Sequence, residues 1–210
     1  PKLNRIPKSN YVFVANREYD YGYYTFSGDF FANTIQYLIN ELTEDDTITI
    51  ISSASESNPV ISGEKATRAR EILFDGHNEL KQSFQDSLIM PYNSLLYNGV
   101  YQSDNLRTQM LETAYQEAKK HFIKDGNNHI ILFGNPFWPD SSYESSLLSD
   151  FITKTKENGI SFSLFSYSYL WSEEYRINYY ITKSEELAHV ILEKIRSPRI
   201  KNLDNINFKL

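Results

Sequence analysis

Asn16, Glu18 and Asp20 fall on alternate residues directly after a four-residue apolar run, Val12-Phe13-Val14-Ala15, and offer three oxygen donors of the kind a hard divalent cation accepts. Further donors follow at a distance in the chain. Asn135 comes just after the run from His129 to Gly134, and Asp104 or Asn105 stands at the start of an expected helix. If these loops meet at one edge they could surround magnesium or manganese in an octahedron. The competing reading is that Asn16 and Asn135 cap strand ends by bonding local backbone, with the acids simply solvated.

The same loops are crowded with aromatic side chains. Tyr19, Tyr21, Tyr23 and Tyr24 follow the first apolar run, Phe137 and Trp138 follow the second, and Tyr167, Tyr169 and Trp171 follow a third, residues 160–165. Tyr and Trp dominate interface hot spots because each combines a large apolar area with a polar handle. About half of these rings are expected to pack beneath their own loops as small satellite cores.

Other chemistries lack their parts. Gly63-Glu64-Lys65-Ala66-Thr67 resembles the end of a phosphate loop, but the upstream glycine, the Lys-Ser/Thr pair and a preceding buried strand are missing, so it reads as a surface turn. His77, His121, His129 and His189 are scattered without metal-ligand spacing and read as helix-surface or strand-edge residues. There is no Gly-x-Ser-x-Gly turn for a nucleophilic serine, and no cysteine for disulfides, iron–sulfur clusters or thiolate zinc sites. No catalytic residue and no resident cofactor are expected.

The elements that must position these loops are legible from periodicity. Residues 12–15, 47–51, 129–133 and 160–166 read as strands, with a short strand at 60–61 at an edge and a last strand at 176–181. Helical spacing marks residues 28–42, 64–81, 104–122, 144–157 and 184–195, the last opening with Glu185-Glu186 in its first turn. The stretch 82–103 mixes apolar triplets with Pro91, Asn93 and Gly99 and is expected to be an ordered insertion. Strand and helix alternate, which predicts an α/β fold: a doubly wound, mostly parallel central sheet with helices on both faces. In such a sheet the carboxyl ends of the strands line the ligand crevice, so the three loops should share one face.

The chain of 210 residues is 40% hydrophobic and 23% charged, which fits one domain. We expect a lead-in over 1–8, the domain over 9–196, and a tail or edge strand over 197–210. A net charge of −6 with scattered Lys and Arg argues against nucleic acid as a partner. No run of 18 apolar residues is present, so no membrane span is expected in this sequence. Its start at Pro1 without a signal-like apolar stretch reads as a processed chain or an excised piece.

With these elements in place the sequence resembles a von Willebrand factor type A domain over about residues 9–210, and more narrowly the version in inter-alpha-trypsin-inhibitor heavy chains and their bacterial relatives. Tyr11-Val12-Phe13-Val14-Ala15-Asn16 stands where that family opens with a strand reading roughly VVFVID-x-S-x-S. Residues 37–51 resemble its helix-strand unit, Ile130 to Phe133 its central strand, and Lys194-Ile195-Arg196-Ser197-Pro198 its closing helix and exit. The resemblance implies a Rossmann-like fold with an adhesion or protein-binding role, and tilts the location toward the cell surface or exterior. It also places the family's metal-ion-dependent adhesion site at Asn16, Glu18 and Asp20, at Asp104 or Asn105, and at Asn135. None of these positions keeps the family's residue type, and amides stand where its two anchoring aspartates belong. The expectation is therefore a degenerate metal site and a metal-free binding surface composed of Asn16, Glu18, Tyr19, Asp20, Tyr21, Tyr23, Asp104, Asn135, Trp138, Tyr169 and Trp171. Another protein is the expected partner; the alternative is a carbohydrate-binding module that stacks sugars on the same aromatics.

Overall fold

A computed structural model of the chain describes residues 7–16, 28–52, 59–75, 101–134, 142–166 and 183–196. In order these form β1 (Ser9–Asn16), α1 (Gly28–Asn40), β2 (Thr47–Ser52), β3 (Pro59–Lys65), α2 (Ala66–Asp75), α3 (Tyr101–Lys120), β4 (Asn127–Gly134), α4 (Ser142–Glu157), β5 (Ser161–Ser166) and α5 (Ser184–Arg196). The strand expected at 176–181, most of the insertion and the tail 197–210 lie outside the described residues.

The five described strands form one sheet in the order β3-β2-β1-β4-β5. β1 pairs in parallel with β2 and β4, and β4 pairs in parallel with β5, while β3 runs antiparallel to β2. The chain therefore winds outward from β1 in one direction and then, through β4, in the other, which is the doubly wound α/β architecture expected from the alternation of elements. Val14 and Leu132 are register partners on the two central strands. Both are fully buried, as befits strands covered on both faces.

Alternation along the strands sorts the core into two layers. On one face Tyr11, Phe13, Ala15, Ile48, Ile50, Ile131 and Phe165 pack against α1, α2 and α5, whose Ile35, Leu38, Ile39, Leu73, Leu187 and Ile191 point inward. On the other, Val12, Val14, Ile51, Ile130 and Leu132 meet Met110, Leu111, Ala114, Tyr115 and Ala118 of α3 and Phe151 of α4. The inward positions of each helix recur at three and four residues, the spacing that keeps them on one stripe.

Several boundaries differ from the sequence reading, most informatively at β3, α2 and α3. β3 extends from Pro59 to Lys65, well beyond residues 60–61, and α2 accordingly starts at Ala66, not at 64. An edge strand is held by backbone pairing to its neighbour, so Ser62-Gly63-Glu64-Lys65 can be extended without apolar side chains. α3 also begins three residues earlier than expected, at Tyr101.

The amino-terminal edge of the sheet is fastened by buried polar side chains. The Asp46 carboxylate, 4% exposed, accepts the backbone N–H of Ser9 at 3.0 Å and of Thr43 at 2.9 Å, joining the starts of β1 and β2. Asn10 donates through Nδ2 to the Ala118 carbonyl at 3.2 Å, one of the carbonyls that the last turn of α3 leaves without an intrahelical partner. Asn128 grips Ile123 at both its N–H and its carbonyl, each at 2.9 Å. Gly126 must be glycine, because a β-carbon there would strike the Lys8 carbonyl and the Ile123 side chain. On the opposite layer Arg70 of α2 donates to the carbonyls of Ile39, Asn40 and Leu42 and so closes the end of α1.

Candidate functional site

The three strands expected to feed the binding loops end in a single row. Asn16 of β1 is the register partner of Gly134 of β4, and Gly134 is the partner of Ser166 of β5. Ala15, one residue before the end of β1, pairs with Ser52, the last residue of β2. Asn16, Gly134 and Ser166 thus end three strands at one edge of the sheet, beside the point between β1 and β4 where the winding reverses. An open α/β sheet forms its ligand crevice at that place.

Of the expected site residues, Asn16 is the last residue of β1 and Asp104 lies in the first turn of α3, three residues inside the helix and not at its start. Glu18, Tyr19, Asp20, Tyr21, Tyr23, Asn135, Trp138, Tyr169 and Trp171 lie outside the described residues. Among the described residues no group of three or more His, Asp or Glu side chains is placed to hold a metal ion. None of the described helices is long and apolar enough to cross a membrane.

A second cluster of reactive side chains lies between β3 and α3, and sequence reading missed it. Ser62 Oγ donates to Glu117 Oε2 and accepts from Lys120 Nζ at 3.1 Å, while Lys120 Nζ also donates to Glu117 Oε1 at 3.2 Å. His121 Nε2 stands 3.3 Å from Ser62 Oγ and 3.5 Å from Glu117 Oε2. Because the hydroxyl proton is directed at Glu117, the imidazole faces two acceptors and its Nε2 is assigned a hydrogen. The imidazole occupies the space over Gly63, where a β-carbon would fall inside the ring; Gly63 itself has φ +66° and donates its N–H to Thr49 Oγ1 at 3.0 Å.

Serine, histidine and a carboxylate in mutual contact invite a catalytic reading, which the connectivity rules against. A relay needs the carboxylate on one ring nitrogen and the hydroxyl on the other, whereas here both approach Nε2. The cluster is a polar clasp. Burial pushes the Glu117 carboxyl up, but the Ser62 and Lys120 hydrogen bonds and the charges of Lys120 and His121 outweigh it and hold the group below its ordinary value. The only signal in the sequence was the i, i+4 spacing of Glu117 and His121; the link to Ser62, 55 residues away from Glu117, has none.

The remaining described histidines are structural. His129 shares a hydrogen bond of 2.9 Å with Ser163 Oγ across β4 and β5, and His189 pairs with Glu193 at 3.3 Å on the exposed side of α5. No known protein family matches the chain, and no curated protein is detectably similar to it.

Proposed function

We propose that this chain is a non-catalytic interaction domain of the von Willebrand factor type A kind, which binds a partner protein through the loops at the carboxyl ends of β1, β4 and β5 without a metal ion. The observation that carries the reading is the row Asn16, Gly134 and Ser166, three adjacent strand ends at the switch point; the sequence that follows them holds nine aromatic residues. Amides at Asn16 and Asn135, where two aspartates would anchor a cation in the family, favour direct protein contact over metal-bridged contact.

The test uses a photo-crosslinking residue at Tyr21 or Trp138, with Lys156 at the far end of α4 as the control position. Both edge positions should capture the same protein and Lys156 should not. Trp171→Ala should weaken that complex by about 1–4 kcal/mol with an unchanged circular dichroism spectrum. Capture from Lys156 alone, or unfolding by Trp171→Ala with no separate loss of binding, would place the partner surface elsewhere. Binding to a glycan array without any captured protein would convert the reading to carbohydrate recognition. A rise of the thermal midpoint in millimolar magnesium or manganese, abolished by Asp20→Ala, would show that acids of the first loop rebuild a cation site.

A further inference from the structure

β3 is the least secured strand of the described sheet. Its register against β2 is broken at two places, Ile61 is its one buried residue among Pro59–Lys65, and Gly63 takes a left-handed conformation. Few apolar contacts and an irregular ladder make local opening of such an edge far easier than opening of the central strands. What ties β3 to the layer above it is the Ser62 clasp, in which Glu117 supplies the one negative charge and Ser62 Oγ a second acceptor for Lys120. Ser62, Lys120 and His121 all address the Glu117 carboxylate, whose side chain is only 12% exposed.

We propose that Glu117 is an acid-sensitive latch, whose protonation frees β3 from α3 while β1, β2, β4 and β5 stay paired. A neutral carboxyl can still offer Oε1 to Lys120 and turn the Ser62 bond around by donating to Oγ, but both contacts lose the charge that made them strong. Lys120 and His121 then lose the carboxylate charge that stands between them. The charged groups facing Glu117 among the described residues are these two, both at the carboxyl end of α3. β3 contributes the neutral hydroxyl of Ser62. The depressed ionisation of Glu117 keeps the latch closed at neutral pH and sets the opening below the ordinary carboxylate range. Opening would bare the outer edge of β2, a row of backbone donors and acceptors ready to take another strand.

Amide hydrogen exchange, corrected for the intrinsic rate at each pH, tests this. Between about pH 7 and about pH 3 protection in β3 should fall roughly tenfold or more, while β1 and β4 keep theirs. In Glu117→Gln, β3 protection should already be low at neutral pH and should stay flat across the same range. Ser62→Ala keeps the carboxylate but cuts its bond to β3, so it should lower β3 protection at neutral pH and flatten the pH-dependent fall, and it serves if the Gln variant does not fold. The proposal is overturned if β3 and the central strands lose protection together, if β3 shows no fall, or if Glu117→Gln retains the parent's pH profile.

Discussion

The two faces of the sheet solve the same covering problem with different materials. The face under α1, α2 and α5 is apolar over its middle, with Tyr11 and Phe13 rings stacked 6.1 Å apart and large aliphatic side chains above them, and turns polar at Ser9, at Thr34 of α1 and at the His129–Ser163 pair. The face under α3 and α4 is apolar only toward its middle and carboxyl end. Its amino end carries the buried row Thr47, Asn10 and Asn128 in register across β2, β1 and β4, and the Ser62 clasp adds a further polar cluster where α3 meets β3. The difference follows from where α3 stops. A helix that ends over a buried sheet leaves carbonyls without intrahelical partners, and an apolar strand could not satisfy them.

The comparison can be broken most decisively by cavities. Phe13→Ala on the first face should cost about 3–5 kcal/mol and Leu132→Ala on the second about 2–5 kcal/mol, read from denaturant midpoints. Both transitions should stay single and cooperative if the shared strands make the layers one unit. A biphasic transition in Leu132→Ala alone would show that the α3 layer melts separately.

A smaller effect sharpens the account of the amino edge. Asp46→Ala strips the acceptor from the buried Ser9 N–H and the part-buried Thr43 N–H and should destabilise by about 1–3 kcal/mol, with hydrogen exchange rising first at Ser9 and Thr43. If stability is unchanged, that edge is held by strand pairing alone.

The smallest effect belongs to the outer surface of the α3 layer, where Lys154 lies 2.6 Å from Glu112 and its Nζ stands 4.1 Å above the Tyr115 ring. The Lys154 hydrogen bond, then that of Gln116, holds the Glu112 carboxyl below its ordinary value against the opposing effect of burial. A depressed carboxyl contributes stability above its unfolded pKa and loses it as pH falls through the folded one. Glu112→Gln should therefore cost no more than about 1 kcal/mol at neutral pH, given half-exposed partners, and the gap should close in acid and shrink with salt. A gap that persists in acid would mean that packing on Tyr115, not charge, is what the substitution disturbs.

The central strands were legible because burial on both faces writes an uninterrupted apolar run, as in Val12 to Ala15 and Ile130 to Leu132. The helices were legible from their stripes: the spacing of Leu106, Met110, Leu111, Ala114 and Ala118 marks one face of α3, and of these Met110, Leu111, Ala114 and Ala118 are buried in the core while the Leu106 side chain lies outside those described. β3 was read too short because its pairing is made by backbone, which no side-chain pattern records. The Ser62 clasp was invisible for a related reason, since contacts between a strand and a helix 55 residues further on depend on topology and leave no periodic trace. For the expected binding edge, the sequence correctly placed the strand ends that Asn16 and Gly134 mark.

The row Thr47, Asn10 and Asn128 has one more consequence, for how the chain finds its alignment. Sliding β1 by two residues along β4 would leave every side chain on its own face, so the inside-outside pattern cannot distinguish the native alignment from its neighbours two steps away. The buried amides can. A slide would carry Asn10 away from the Ala118 carbonyl and set Val12 or Lys8 in its place, leaving a bare carbonyl or a buried ammonium. The polar row thus works as an index notch: it adds little to the apolar core, but it permits only one of the offsets that the core alone would accept.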